Sequence, residues 1–312
     1  MNDAINIVLA TDRNYAQHAT VAIASVLSNT QFPHRLHFFI IDDGIDENNK
    51  QKMQSSVLEL GGGISFLNTQ EVDLNDVYVS GNLTKAAYYR LAIPKLLPNI
   101  VNKVIYLDCD LLVLKDIVQL WQLDLNGKPI AATEDFGILA SRNKSAEKAK
   151  NLNWETKFSY FNSGVMIIDV SQWRQKNYAD GLLQLVCERK FRHHDQDALN
   201  YFFMNNWTKI PLEWNVIPPI FNMPLRIAMN SAFRAKALDA LKKTAIIHYA
   251  GGYKPWEYDI SRGFNEEYYI YLAKTSYRDA KMPQPNPKKK GHSLSRQLWR
   301  LKWAAFVKRI NN

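Results

Sequence analysis

Residues 103–110 read KVIYLDCD: a short apolar run, unbroken by polar alternation, that stops at two aspartates one residue apart. Such a run marks a strand buried on both faces, as in a parallel sheet covered by helices. The same pattern recurs outward from it. Upstream, Ile5–Thr11 (INIVLAT) reads as a buried strand, followed by a polar turn, Asp12-Arg13-Asn14, and a helix from Tyr15 to about Leu27. Leu36–Ile41 (LHFFII) is a second buried strand, closed by Asp42-Asp43-Gly44. Asp46 N-caps the next helix, Gly61-Gly62-Gly63 stops it after about Leu60, and Ile64–Leu67 is a third strand. Thr84–Ile93 is expected to be helical and to stop at Pro94. Leu111–Leu114, Pro129–Thr133, Gly164–Val170 (GVMIIDV) and Ala245–His248 supply further strands. Strands alternating with helices predict an α/β chain whose sheet is mostly parallel, with helices on both faces.

The 312 residues are 46% hydrophobic and 22% charged, with 13 Gly, 12 Pro and 2 Cys. That excludes a disordered, collagen-like or disulfide-stapled chain. Two distant thiols, Cys109 and Cys187, suit a reducing compartment. The first residues, MNDAINIVLATD, carry no basic segment and no long apolar one, so no signal peptide is expected. No apolar run reaches the roughly 18 residues that span a bilayer. The net charge of +9 is local: from Lys281 onward there are nine basic residues and no acidic one, while residues 1–280 balance at 30 of each sign. A neutral body argues against a nucleic-acid partner. The organisation expected is a folded body over 1–280, a Pro/Lys-rich linker over 281–292 and a basic tail over 293–312.

Ligands of open α/β sheets bind outside the carboxyl ends of the strands. Asp108-Cys109-Asp110 stands at such an end. Two carboxylates in a short turn can share Mg²⁺ or Mn²⁺ together with substrate phosphate oxygens. The bland alternative is a solvated turn. His248-Tyr249-Ala250-Gly251-Gly252-Tyr253-Lys254-Pro255-Trp256 again follows an apolar strand. A lone histidine is more often structural than a ligand. Here it precedes glycines that let backbone approach a ligand, and Lys254, a point charge suited to phosphate. Ala10-Thr11-Asp12-Arg13-Asn14-Tyr15 sits at the first strand-to-helix turn without a glycine fingerprint, so a nucleotide there must be held by side chains. His193-His194-Asp195-Gln196-Asp197 opens a helix. Adjacent histidines diverge by about 100° on a helix and do not converge on zinc, and an N-cap at Asp195 accounts for the segment locally.

Five motifs in order resemble glycosyltransferase family 8, the retaining group that uses sugar nucleotides and includes bacterial lipopolysaccharide α-galactosyl- and α-glucosyltransferases and glycogenin. They are Ala10-Thr11-Asp12-x-Asn14-Tyr15, Tyr89-Arg90-Leu91, Tyr106-Leu107-Asp108-x-Asp110, Phe161-Asn162-Ser163-Gly164-Val165, and His248-Tyr249 through Lys254-Pro255-Trp256. The resemblance spans roughly residues 4–275 and implies a Rossmann-like sheet, the A-type glycosyltransferase fold, with the catalytic domain over 1–280. It implies that Asp108, Asp110 and His248 bind Mn²⁺ or Mg²⁺ on the UDP diphosphate, with Cys109 between the two acids in the donor site. Ala10, Thr11, Asp12, Asn14 and Tyr15 would hold uridine, and Gly251 and Lys254 the diphosphate. Arg90, Asn162, Asp195 and Gln196 would surround the donor sugar. Glu134-Asp135 falls where the family carries a donor-sugar carboxylate, either residue being the match.

The implied reaction moves galactose or glucose from a UDP-sugar to lipopolysaccharide or a related glycan or glycolipid. Retention leaves two routes: double displacement on Asp195 or Gln196, or front-face attack, which the lack of a strong nucleophile favours. The rival readings are a transferase acting on another glycolipid or a protein, and a non-catalytic sugar-nucleotide or glycan-binding module on the same fold. In the tail, Trp299, Trp303, Phe306 and Ile310 fall at helical spacing among Arg and Lys, with a second stripe of Leu294, Leu298, Leu301 and Ala305. Such a segment suits an anionic membrane surface, each basic residue contributing about 1 kcal/mol there. A peripheral position on the cytoplasmic face of the inner membrane is therefore expected.

Overall fold

A computed structural model describes residues 4–74, 77–78, 85–155, 158–221, 231–252, 254–257 and 264–281. The linker from Met282 and the whole basic tail lie outside the described residues, as do Thr84 and Tyr253.

Nine strands are described: β1 (Ile5–Thr11), β2 (Leu36–Asp42), β3 (Gly63–Asn68), β4 (Lys103–Leu107), β5 (Leu111–Val113), β6 (Ile130–Glu134), β7 (Phe161–Asp169), β8 (Thr208–Lys209) and β9 (Ile246–His248). Seven form one sheet in the order β3-β2-β1-β4-β7-β6-β8, and β5 pairs with β9 in a separate ribbon. β1 runs parallel to both β2 and β4, so all three end at the same edge. β7 is antiparallel to β4 and to β6. Its first residues therefore reach the edge where the other two strands finish.

Alternation within each buried strand explains its composition. Ile7, Leu9, Ile105 and Leu107 pack into the core on one face of the sheet. Val8, Val104, Tyr106 and Met166 pack into the core on the other. Because both faces are covered, the central positions of these strands are apolar; Ile105→Ala would cost about 2–5 kcal/mol. Helix Ala16–Ser28 covers the first face with helix Asn265–Leu272 beside it, and Trp173, fully buried, anchors the second. Asp46 caps helix Glu47–Glu59 through the Asn49 N–H at 3.0 Å, as its position predicts.

Two expectations need correction. Lys85–Ala92 is a 3-10 helix, and Pro94 does not stop it: Pro94 lies in the first turn of a following short helix, Ile93–Leu96, where a missing N–H needs no partner. β7 begins at Phe161 and not at Gly164, because the Asn200 side chain both accepts from Phe161 N–H (2.8 Å) and donates to Phe161 C=O (2.9 Å). That extension carries Asn162 and Ser163 to the site edge. Among the described residues, no helix is long and apolar enough to cross a membrane.

Candidate active site

β4 ends at Leu107, and the next turn presents Asp108 and Asp110. The β5–β9 ribbon sets Leu111 opposite His248, and Tyr249 N–H donates to Asp110 C=O at 2.8 Å. His248 Nε2 thereby lies 3.2 Å from Asp110 Oδ1 and 3.6 Å from Asp108 Oδ2. One donor atom from each of the three residues falls within 4.8 Å of the others. Gly164 on β7 makes room for them: a Cβ there would stand 2.3 Å from His248 Cε1 and 2.6 Å from Asp108 Oδ2. Two hard carboxylates and one imidazole, backed by a residue that can carry no side chain, fit a Mg²⁺- or Mn²⁺-sized cation.

The surroundings hold Asp110 in its charged state. Burial pushes the Asp110 carboxyl up, but the Lys254 ammonium and His248 outweigh it and keep it well below the usual carboxylate range. Lys254 forms an ion pair with Asp110 and donates to Tyr249 C=O at 2.8 Å. Arg90, buried, bridges Asp108 Oδ1 (2.8 Å) and Asp195 Oδ2 (3.1 Å), and Tyr106 O–H donates to Asp108 Oδ1 at 3.0 Å. Its guanidinium also sits 4.6 Å from the Tyr106 ring centre. Asn215, which no sequence signal marks, accepts from His248 Nδ1–H at 2.9 Å.

A cavity of about 700 Å³ opens beside the cluster. Ala10, Thr11, Asp12 and Tyr15 line one part, Gly251 and Lys254 another, and Arg90, Asp135, Asn162, Asp195 and Gln196 a third. The Asp12 carboxylate accepts the N–H groups of Asn14 (2.9 Å) and Tyr15 (3.0 Å), fixing the turn after β1. Asn14 itself is exposed and does not line the cavity, so this turn offers it only its backbone role. Cys109 lines the wall as a thiol; burial raises its pKa, and its Sγ lies 3.2 Å from Ala10 C=O.

The structure separates Glu134 from Asp135. β6 breaks register between Ala132 and Glu134, which re-aims the side chains that follow. Asp135 enters the cavity and accepts from Asn162 Nδ2 (3.1 Å) and Gln196 Nε2 (3.0 Å). Glu134 turns to a neighbouring cavity of about 250 Å³ and pairs with Lys209 (2.7 Å) and Lys236 (3.6 Å). Glu134 is thus not a residue of the main site.

Asp195 is not an N-cap: it lies in the first turn of helix His194–Phe202, behind His193. Its carboxylate meets Arg90 and the Ser163 hydroxyl (3.3 Å), and burial raises its pKa to about 6 against the pull of Arg90. Gln196 is fixed at both ends of its amide. Its Oε1 accepts from Ser163 N–H (3.1 Å) and its Nε2 donates to Asp135 and to the Tyr160 hydroxyl (3.1 Å). Tyr160 in turn donates to Asp197 Oδ1 (2.6 Å), which pairs with Lys148 at 2.5 Å. Sequence reasoning missed Tyr160, Asp197 and Lys148 as parts of the site; Ser163 and Gly164 were visible only as letters inside a motif.

A sheet of this order, with a two-carboxylate and one-imidazole grip at its carboxyl edge, defines the A-type glycosyltransferase fold. The chain belongs to glycosyl transferase family 8, whose profile matches residues 6–260. It is similar to General stress protein A of Bacillus subtilis (strain 168), 33% identical over 293 residues that cover 91% of this chain and 99% of that one. It is also similar to a lipopolysaccharide 1,2-glucosyltransferase of Escherichia coli (strain K12), 26% identical over 82% of this chain and 73% of that one. Among solved structures it resembles the galactosyltransferase LgtC in complex with donor and acceptor sugar analogues. There the TM-score is 0.69 at 23% identity, over 87% of this chain and 96% of that one.

Proposed function

We propose that the protein is a metal-dependent, retaining hexosyltransferase that moves galactose or glucose from a UDP-sugar to lipopolysaccharide or a related surface glycan. The observation that carries this reading is the convergence of Asp108, Asp110 and His248 beside Lys254 at the mouth of a cavity large enough for a sugar nucleotide. The names of the relatives support the sugars and the acceptor class.

Asp108, Asp110 and His248 would hold Mn²⁺ or Mg²⁺, which when bound supplies Lewis-acid stabilisation to the departing diphosphate. The remaining work falls to the chain's own side chains. Lys254 sets a fixed cation where the UDP charge develops, and Ala10, Thr11, Asp12 and Tyr15 take the uridine, with backbone and aromatic surface. Arg90, Asn162 and Asp135 orient the donor sugar, and the Asp195 and Asp135 carboxylates favour the oxocarbenium-like centre by charge. Gln196 already spends its carbonyl on Ser163 N–H, and Asp195 is tied to Arg90 and Ser163. Neither is a free nucleophile beneath the sugar. This supports front-face attack, in which the leaving phosphate oxygen accepts the acceptor's proton.

The basic tail supports peripheral attachment to the cytoplasmic face of an anionic membrane, where a lipid-linked acceptor would lie. The test is UDP release from UDP-galactose and UDP-glucose with and without Mn²⁺. Loss of metal-dependent release by about 100-fold or more in Asp110→Ala is expected; UDP binding without turnover in the wild-type chain would instead make the protein a non-catalytic module.

A further inference from the structure

We propose that the acceptor carries a negative charge, a phosphate or a carboxylate, and that Arg192, His193 and Lys190 receive it. The inference rests on reading the main cavity as a sugar-nucleotide site. Beside the uridine, diphosphate and donor-sugar walls, the stretch Arg192–His194 lines the cavity directly before Asp195 and Gln196, which places it next to the donor sugar, where an acceptor must approach.

Among the described residues, the cavity away from Arg192–His194 carries no spare cation: its two buried cations are paired with acids, and the further acids Asp12 and Glu257 lie on the nucleotide side of the cavity. Arg90 is shared by Asp108 and Asp195, Lys254 is held by Asp110, and Asp135 takes two amide N–H groups. The remaining wall is Arg192-His193-His194, and the chain entering it, Arg189-Lys190-Phe191, adds two more basic residues beside the cavity; none of the six is acidic. Arg192 pairs with Glu147, but both side chains are more than half exposed (58% and 51%), and such a pair is easily exchanged for a ligand anion. Lys190 Nζ lies 5.1 Å from the centre of the Tyr78 ring, which stacks parallel to His194 at 5.9 Å.

His193 is prepared by the buried ion pair behind it. Its Nδ1 lies 2.6 Å from Lys148 Nζ, and an ammonium can only donate. Nδ1 must therefore accept, which puts the ring proton on Nε2. A half-exposed imidazole with a donor at its outer nitrogen, next to a guanidinium, makes a pair of N–H donors for an anionic oxygen.

The test is calorimetric titration of the full chain saturated with UDP and Mn²⁺, using methyl glucoside, glucose 6-phosphate and glucuronate as probes. Saturating UDP keeps the phosphate probe away from Lys254. Either or both charged sugars should bind about tenfold tighter than the neutral one, and comparing them identifies the anionic group. Arg192→Ala combined with Lys190→Ala should abolish the preference while leaving UDP affinity unchanged. Equal affinity for the three sugars, including no detectable binding of any, overturns the proposal, as does a preference that survives in the double variant. Failure of UDP itself to bind the wild-type chain with Mn²⁺ would sink the nucleotide reading and this inference with it, and the preliminary UDP titration tells that case apart.

Discussion

Asn215 Oδ1 lies 2.9 Å from His248 Nδ1, and this contact decides which nitrogen of the ring faces the two aspartates. The Asn215 amide is itself oriented, because its Nδ2 donates to Asn162 Oδ1 at 2.9 Å. The imidazole proton therefore sits on Nδ1, and Nε2 presents a lone pair to the cluster. Asn215→Ala should leave the fold intact and weaken Mn²⁺ binding by about 10–100-fold, measured by titration in the presence of UDP. An unchanged affinity would show that the ring needs no such support.

Gly164→Ala tests the space requirement. The added methyl would meet the His248 ring and Asp108 Oδ2 on a strand whose backbone is paired on both sides. Overpacking of this kind costs about 1–3 kcal/mol. We expect a lower melting temperature and loss of metal-dependent UDP release; release at the wild-type rate would refute the steric argument.

Tyr160→Phe removes a hydroxyl that accepts from Gln196 and donates to Asp197. The Gln196 amide then keeps only Asp135 and Ser163. The expected result is a fall in kcat of about tenfold, with the KM for donor and the affinity for Mn²⁺ nearly unchanged. A parallel rise in KM would mean that the hydroxyl serves donor binding instead.

Asp197 provides a pH test. Burial alone would raise its pKa, but the Lys148 ammonium, the Tyr160 hydroxyl and the His193 backbone N–H outweigh it and hold the carboxyl well below the usual range. A depressed carboxyl stabilises the fold above its unfolded pKa, near 4, and that contribution fades as the pH falls toward the lower native value. Asp197→Asn strands a buried Lys148 charge and should cost about 3–5 kcal/mol at pH 7. The difference from wild type, followed by urea unfolding, should shrink as the pH is lowered below about 4; a gap that widened on acidification would contradict the sign.

Removal of residues 282–312 addresses the tail. The truncated chain should stop sedimenting with phosphatidylglycerol vesicles while releasing UDP at the wild-type rate, because the nine basic residues from Lys281 onward lie almost wholly in the deleted part. Unaltered sedimentation would refute membrane attachment through this segment.

Much of the frame was legible because it is local. KVIYL and INIVLAT announce strands covered on both faces, and Asp46 announces a helix start. Asp108 and Asp110 were legible because they sit where an apolar run ends. His248 was suspected only as part of a motif; what joins it to them is the pairing of Leu111 with His248 across 137 positions, which periodicity does not encode. Lys148 lies on a helix that reads RNKSAEKAKNL, with nothing to distinguish this lysine from those that face water. Its burial depends on Asp197 and Tyr160 arriving from other elements. Glu134 and Asp135 could not be told apart because a register break, not composition, turns one inward and the other away.

The order in which the grip is completed has a consequence for synthesis. Asp108 and Asp110 emerge from the ribosome with the strands that carry them, yet His248 and Lys254 come only after nearly the whole folded body has been made. A nascent chain halted before His248 has Asp108 held by Arg90 and Tyr106, but Asp110 lacks both of its cationic partners and the third ligand is missing. On the proposed function, donor turnover would begin only in chains extended past Lys254, and an interrupted translation product would consume no sugar nucleotide.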